Sequence, residues 1–563
     1  MNKPSIKPIV LCLALALPLT SLADERESLE SLRNTTLNLI QALVQQGVLS
    51  KEKAEEIVRQ ASSPAPASGP ATDAAASAAG GAGGAAAGAA EAPAGKDVPK
   101  SVRVPYVPEF VKRELKDQVK AELLAQAKAE RWVDAARLPE WLDRFSFSGD
   151  VTLRFEDDTF RPPCDTTGAT SNSTSCNVPA VLYNQLVGTN LNNTTVNRQL
   201  LRLRATEGAE IRVNDHTTAE FRLSTGNLSN PVTNFQTLGA SFGRPAIGLN
   251  QASIRYEPLD WLRLQGGRFT NPFLGTDLLW YDRLGFDGAY VQGHPRVSDA
   301  LELFGTLGAF PLQDFEPTAT SSVKSKWLYG SQVGGRWKIA DATALKFGLG
   351  YYDFTHVEGV VNDATGNNNL NGNSAPLFTQ KGNTLFNINQ LNGGAPVYAL
   401  ASKFRELDLT SQLDLAQFNP VHVLWTVDVA RNLGFDANEI NARAGGGTAS
   451  LPLAVLDPRY GGLIRPRVNA WGSRLTVGSP TIHRAGEWQG YMGYKYVERD
   501  AVLDAFNDPD FHLGGTDAKG WLAGGSLGID RDTWLTLKYF SAQAIDGLPL
   551  SIDVLQADFN TRF

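Results

Sequence analysis

The sequence lacks what most membrane and enzyme classes require. After the N-terminal leader there is no uninterrupted apolar run of eighteen or more residues, which excludes helical membrane spans. Cysteine is scarce, with three residues in 563. No His or second Cys lies near any of them at zinc-ligand spacing, so neither a metal site nor a cofactor is indicated. The six histidines, His216, His294, His356, His422, His483 and His512, accompany no recognisable nucleophile motif, so an enzyme is not expected. Positive charge is not in excess. The net charge of −7 argues against nucleic acid as a partner. A blade-length repeat, a globular plug and a passenger domain are missing too, which disfavours a propeller, a plugged transporter and an autotransporter.

What is present changes along the chain. Residues 1–23 read as a secretory signal: Lys3 and Lys7 precede the apolar Ile9 to Leu17, and Ser21-Leu22-Ala23 offers a small-residue cleavage site. In 24–61, Leu29, Leu32, Thr36, Leu39 and Leu43 repeat at helical spacing up to Gly47, and Ser50 caps a second short helix. That spacing fits a periplasmic helical hairpin or a short coiled coil, and both stay open. Residues 62–108 are dominated by Ala, Gly, Pro and Ser and form a linker without a core. Residues 109–144 carry Val111, Leu115, Val119, Leu123 and Ala127 at steps of four, a further periplasmic helix. Pro139 breaks it, and Trp141 and Phe145 are placed for a membrane interface.

From Phe145 the period becomes two and stays there. Phe147, Val151, Leu153 and Phe155 alternate with Ser148, Asp150, Thr152 and Arg154. Fifteen further segments behave alike, the last being 553–563. Leu555, Ala557, Phe559, Thr561 and Phe563 lie on one face there, against Gln556, Asp558, Asn560 and Arg562. About nine to eleven such residues cross a bilayer as one tilted strand. Connectors alternate as well. Asn214-Asp215, Ala340-Asp341-Ala342, Asn419-Pro420 and Arg531-Asp532 are tight, whereas 156–197, 355–403 and 433–468 are long and polar. Short turns on one side and long loops on the other specify an all-β transmembrane barrel of about sixteen antiparallel strands over 145–563, in a bacterial outer membrane. Outward residues such as Leu407, Leu409, Trp425 and Val429 suit lipid.

Cys164 and Cys176, twelve apart in a Ser/Thr/Asn-rich stretch of an exported chain, read as a disulfide. The inward faces carry segregated charge. Arg154, Arg202, Arg204 and Arg222 lie on the first three strands, and Glu406, Asp408, Asp414 and Asp428 on the tenth and eleventh. In a sixteen-strand ring these walls oppose one another, so a transverse field across the pore is expected, with local pairing to Glu210 and Glu220 as the competing outcome.

Between the fifth and sixth strands runs Asn271-Pro272-Phe273-Leu274-Gly275-Thr276-Asp277-Leu278-Leu279-Trp280-Tyr281-Asp282-Arg283, followed by Phe286-Asp287-Gly288. This run resembles the central motif of the bacterial putative porins. The leader, N-terminal helices, Ala-rich linker and terminal Phe563 are similar to that family's layout. The resemblance implies a sixteen-strand outer-membrane porin, a water-filled channel for passive diffusion of ions and small hydrophilic solutes. A substrate-selective channel is the alternative, and a barrel enzyme a remote one. General porins fold their third external loop inward, so residues 270–285 are expected to narrow the bore. Apolar Phe273, Leu278, Leu279 and Trp280 would anchor the loop while Asp277 and Asp282 face water. Phe563 resembles the insertion signal shown to the barrel-assembly machinery. Outer-membrane lipid and lipopolysaccharide are the other expected partners, and monomer and homotrimer both stay open.

Overall fold

A computed structural model describes residues 144–164, 175–316, 323–363, 370–391, 394–443 and 464–563. The signal, helical, linker and periplasmic-helix readings of 1–143 lie outside the described residues.

The chain is a closed antiparallel β-barrel. Its sixteen wall strands are β1 (Phe145–Phe160), β2 (Arg198–Arg212), β3 (Thr217–Thr225), β4 (Ile247–Leu259), β5 (Leu262–Thr270), β6 (Gly285–Gly293), β7 (Leu301–Gln313), β8 (Lys326–Ala340), β9 (Thr343–Thr355), β10 (Phe404–Phe418), β11 (Val421–Asn432), β12 (Asn469–Gly478), β13 (Trp488–Val497), β14 (Ala518–Asp530), β15 (Thr533–Ala544) and β16 (Ser551–Arg562). Each pairs with its neighbours in sequence, and β1 pairs with both β2 and β16, so the ring has no open edge. A two-residue strand, Gln236–Thr237, adds to β2 from the second external loop. Closure gives every wall strand a paired neighbour on both sides, as a bilayer interior demands.

Alternation explains the two faces. Leu409, Trp425, Leu537 and Phe559 are exposed on the outside, while their inward neighbours Asp408, Thr426 and Asp558 are buried. Every expected strand is found. Several run further at the external end, β1 to Phe160 and β15 to Ala544. There the inward side turns apolar and the alternation of hydropathy fades, because loops rather than water cover it. Phe160, Phe540, Ile552 and Val554 pack with Phe511 from the connector 498–517. Val554, apolar on an otherwise polar face, is therefore fully buried.

The turns opposite the long connectors are short for local reasons. In the β2–β3 turn the Asn214 carboxamide oxygen accepts from the His216 N–H, 3.0 Å, a side chain substituting for a backbone turn bond. At the seam the N–H groups of Gly149 and Phe563 each donate to the other's carbonyl, both 3.0 Å. A Cβ on Gly149 would come within 2.5 Å of the Phe563 ring, so the terminal aromatic is seated where only glycine leaves room.

Candidate functional site

The third external loop, 271–284, does not stay at the rim. Phe273 meets Tyr352 edge-on at 5.0 Å between ring centroids, with Phe310 at 5.9 Å and Phe286 at 6.1 Å. Trp280 lies 5.2 Å from Phe286 and 5.1 Å from Tyr352. Such edge-to-face pairs add about 0.5–1.5 kcal/mol each beyond the area they bury. The wall makes space for the loop. A Cβ on Gly330 of β8 would sit 2.5 Å from the Phe273 ring, which is where the ring lies flat. Gln332 then clamps the backbone twice, accepting from the Leu274 N–H at 2.7 Å and donating to the Leu274 carbonyl at 2.6 Å.

Past Leu274 the loop reaches strands far round the ring. The Thr276 N–H and hydroxyl both donate to Asp428 on β11. Asp277 pairs with Lys495 on β13 at 3.0 Å. A loop that leaves β5, touches β8 and β9 and then reaches β11 and β13 runs across the bore.

A second segment meets it. The connector 498–517, the seventh external loop, is almost entirely buried. Asp508 shares Lys495 with Asp277, at 2.6 Å, and its N–H donates to the Asp277 carbonyl. The Tyr281 N–H donates to the Phe506 carbonyl, 2.9 Å. Glu406 on β10 accepts from the Leu503 N–H at 2.9 Å. Residues 380–384 of the fifth loop complete the layer. The Lys381 ammonium donates to the carbonyls of His512, Leu513 and Gly514. Thr384 donates from its N–H and hydroxyl to Asp500 at 2.8 and 2.6 Å.

Burial sets the electrostatics of these loops. It pushes the carboxyls of Asp504 up to about 7 and of Asp508 up to about 6, and the Lys381 ammonium down to about 7. It also opposes ionisation of Asp277, but Lys495 beside that carboxyl wins and holds it below its ordinary value. Asp510 is likewise buried, and Arg154 holds it low.

The expected site residues fall into three groups. Asn271, Pro272, Phe273, Asp277, Trp280, Asp282 and Arg283 all lie on the inward-folded loop. Asp277 keeps 29% of its side chain exposed and is at the same time the loop's ionic tether. Asp282 is exposed and Arg283 half-buried. The early arginines point inward but mostly do not present bare charge. Arg154 grips Asp558 at 2.7 and 2.9 Å and reaches Asp510 at 3.1 Å. Arg202 takes Glu156 at 2.9 Å and Arg204 takes Asp150 at 2.7 Å. The guanidiniums of Arg154, Arg202 and Arg204 also lie over the Phe235 ring, at 4.1, 5.5 and 5.0 Å. The acids that neutralise them are not Glu210 and Glu220, both of which approach Arg255 instead.

The acidic wall is corrected more strongly. Glu406, Asp408 and Asp428 point inward as alternation requires, yet they are at most 1% exposed, because the third and seventh loops lie on them. Asp414, nearer the periplasmic end, pairs with His422 at 2.9 Å. The simple field between two opposed walls is therefore absent. Cys164 and Cys176 are joined by a disulfide in the first external loop, with Cα atoms 4.9 Å apart. The seventh loop went unread in the sequence. Its signal was an apolar set, Ala501-Val502-Leu503, Phe506 and Phe511, inside a connector otherwise dense in Asp.

A barrel filled from outside by its own loops narrows the class, and the comparison with known families decides it. The model of the family described as putative porin matches residues 33–563. The chain belongs to the putative porin family. Among solved structures it is similar to OprB of Pseudomonas putida, at 13% identity and a TM-score of 0.42 over 75% of this chain and 96% of that one. It is also similar to the outer-membrane channel DcaP of Acinetobacter baumannii, at 9% and 0.37 over 74% and 97%. Salmonella typhi OmpF, solved with daunomycin, gives the same 9%, 0.37, 74% and 97%. A search of curated proteins finds no match. The porin lies in the outer membrane and passes small solutes by passive diffusion. Family and fold point to a channel rather than an enzyme.

Proposed function

We propose that this porin is constricted at the level of its third and seventh external loops and favours anions. The carrying observation is the balance of unpaired inward charge. Arg222, Arg283, Arg336, Lys346 and Arg474 point into the bore, and none makes an ion pair among the described residues. Most inward acids are neutralised or covered: Asp150 by Arg204, Glu156 by Arg202, Asp558 by Arg154, Glu220 by Arg255, and Glu406, Asp408 and Asp428 by the loops. Asp282 and Glu302 stay open, as in part do Glu210 beside the shared Arg255 and Asp414 beside His422, and these offset part of the excess. An ion in the narrow part passes these side chains within a Debye length, about 8 Å at physiological salt, so the surplus guanidinium charge attracts anions and repels cations.

The test is a reversal potential in a potassium chloride gradient across a planar bilayer. Wild type is expected to be anion-selective, and Arg222→Gln with Arg283→Gln to lose part of that preference. A cation-selective wild type sinks the selectivity reading. Replacing 273–282 by a Gly/Ser linker tests the constriction separately. Conductance should rise, and an unchanged conductance would place the narrowest point elsewhere.

A further inference from the structure

Where the seam between β16 and β1 continues into β2 and β3, the inner wall holds a recess of about 290 Å³ that opens to the bore. Four guanidiniums line it, those of Arg204, Arg222, Arg283 and Arg562, against one acidic side chain, Asp150. That acid is already taken. One of its oxygens accepts from Arg204 at 2.7 Å and the other from the Thr206 hydroxyl. Arg562 is held by Asp532 at 3.0 Å. The terminal carboxylate of Phe563 lies in the wall, bonded to the Gly149 N–H. Arg222 and Arg283 remain. Both are half-buried, and neither has a hydrogen bond or an ion pair among the described residues.

Two different elements bring these guanidiniums to one recess. On β2, Gly208 stands between Ser148 of β1 and Arg222 of β3. A Cβ on Gly208 would lie 3.2 Å from the Arg222 Nε, so this side chain leans across β2 over two small neighbours. Arg283 comes from the end of the third loop and lies near enough to Asp150 and Arg204 to act on the charge of each. Cations gathered in this way repel one another, and a bound anion relieves that repulsion.

We propose that this recess binds a small oxyanion carrying two negative charges, the chemistry shared by phosphate and short dicarboxylates. Charge argues for it: two guanidiniums without partners match two negative charges, and a singly charged ion leaves one of them unmatched. Shape argues for it too, because each guanidinium is a planar fork of donors that meets carboxylate or phosphate oxygens in pairs, which chloride cannot do. The recess lies in the wall of the bore beside the third loop, so a solute in transit passes it. The site deepens the anion preference proposed above and rests on it.

The experiment records chloride current through the full-length porin in planar bilayers at mildly alkaline pH and constant ionic strength. Phosphate and malonate, both dianions there, are added in turn, with acetate as the singly charged control. At least one dianion should block the current saturably, at a concentration about tenfold below that of acetate, the ratio of one charged hydrogen bond. Arg222→Gln and Arg283→Gln should each raise that half-blocking concentration about tenfold. Arg336→Gln removes an unpaired inward arginine outside the recess, on β8, and should leave it as it is. Retained heat-modifiable migration checks that each variant is folded. Block that is equal for acetate and both dianions would overturn the proposal, as would a fall in current that never saturates. So would a loss of block in Arg336→Gln as large as in Arg222→Gln, which would assign the effect to diffuse charge. An anion-selective reversal potential without saturable block would strike the site and leave the selectivity reading standing, whereas cation selectivity would strike both.

Discussion

Replacing Lys495 by Met takes away the cation that two loops share. Lys495 lies 3.0 Å from Asp277 and 2.6 Å from Asp508, and all three side chains lie in the contact between the third and seventh loops. Removing one partner of a buried pair costs about 3–5 kcal/mol, because the other charge stays buried without compensation. That is on the order of a hundredfold or more in the ratio of docked to undocked loop. The barrel wall itself does not depend on this contact, so the loss should appear as loosened loops in an intact barrel. Single-channel recordings near pH 7 should show higher conductance and much more open-channel noise than wild type. The pH dependence follows from linkage. Without Lys495 the buried Asp508 carboxyl stands further above its free value when docked, so the docked state binds more protons and gains as pH falls. Asp508 already stands at about 6 with the ammonium present. Lowering the pH to about 5 should return Lys495→Met towards wild-type conductance. Adding Asp277→Asn should restore part of it at pH 7. If Lys495→Met matches wild type in conductance and noise from about pH 5 to pH 8, the shared lysine does not hold the loops.

Three further outcomes follow from the same contacts. Gly330→Leu should displace Phe273 from the β8 wall and, like the lysine variant, raise conductance without loss of folded barrel; normal conductance would show that the ring finds another seat. Deleting Phe563 removes the seam bonds to Gly149 and should sharply reduce heat-modifiable barrel in outer membranes, and wild-type levels would refute a role in assembly. Cys164 and Cys176 in the first external loop should react with a membrane-impermeant maleimide on intact cells only after reduction, and labelling without reductant would count against the bond or its placement outside.

How much of this was legible in the chain divides by physical cause. The wall was legible because period two is imposed on every strand by the same demand, lipid outside and polar groups inside. The third loop's place was legible because it followed from counting strands. The fates of Glu406, Asp408 and Asp428 were not. Alternation says which way a side chain points and nothing about what stands in front of it. The second role of Asp277 was hidden for a related reason: an acid beside Leu278 and Leu279 reads as the wet edge of an anchored loop, and nothing nearby in sequence announces Lys495, more than two hundred residues on, which comes to meet it. The seventh loop was hidden because its apolar residues have no regular period, and only the barrel interior gives them a common surface.

The anchors of the third loop bear on how the molecule is made. Besides Phe286 on β6 and Phe310 on β7, they come from β8, β9, β11 and β13, and the seventh loop adds β10 and, through Asp510, β1. The strands beyond β7 adjoin neither β5 nor β6, so they reach the loop only as the sheet curls toward closure. Contacts this distant in sequence are the slow ones to form. The loops can settle only once β16 has met β1, and until then the nascent barrel is a wide and leaky gap in the membrane. Restricted permeability is thus the last property the chain acquires, and a mutant that closes its ring slowly would be expected to sensitise the cell to bulky antibiotics even when its finished pores are normal.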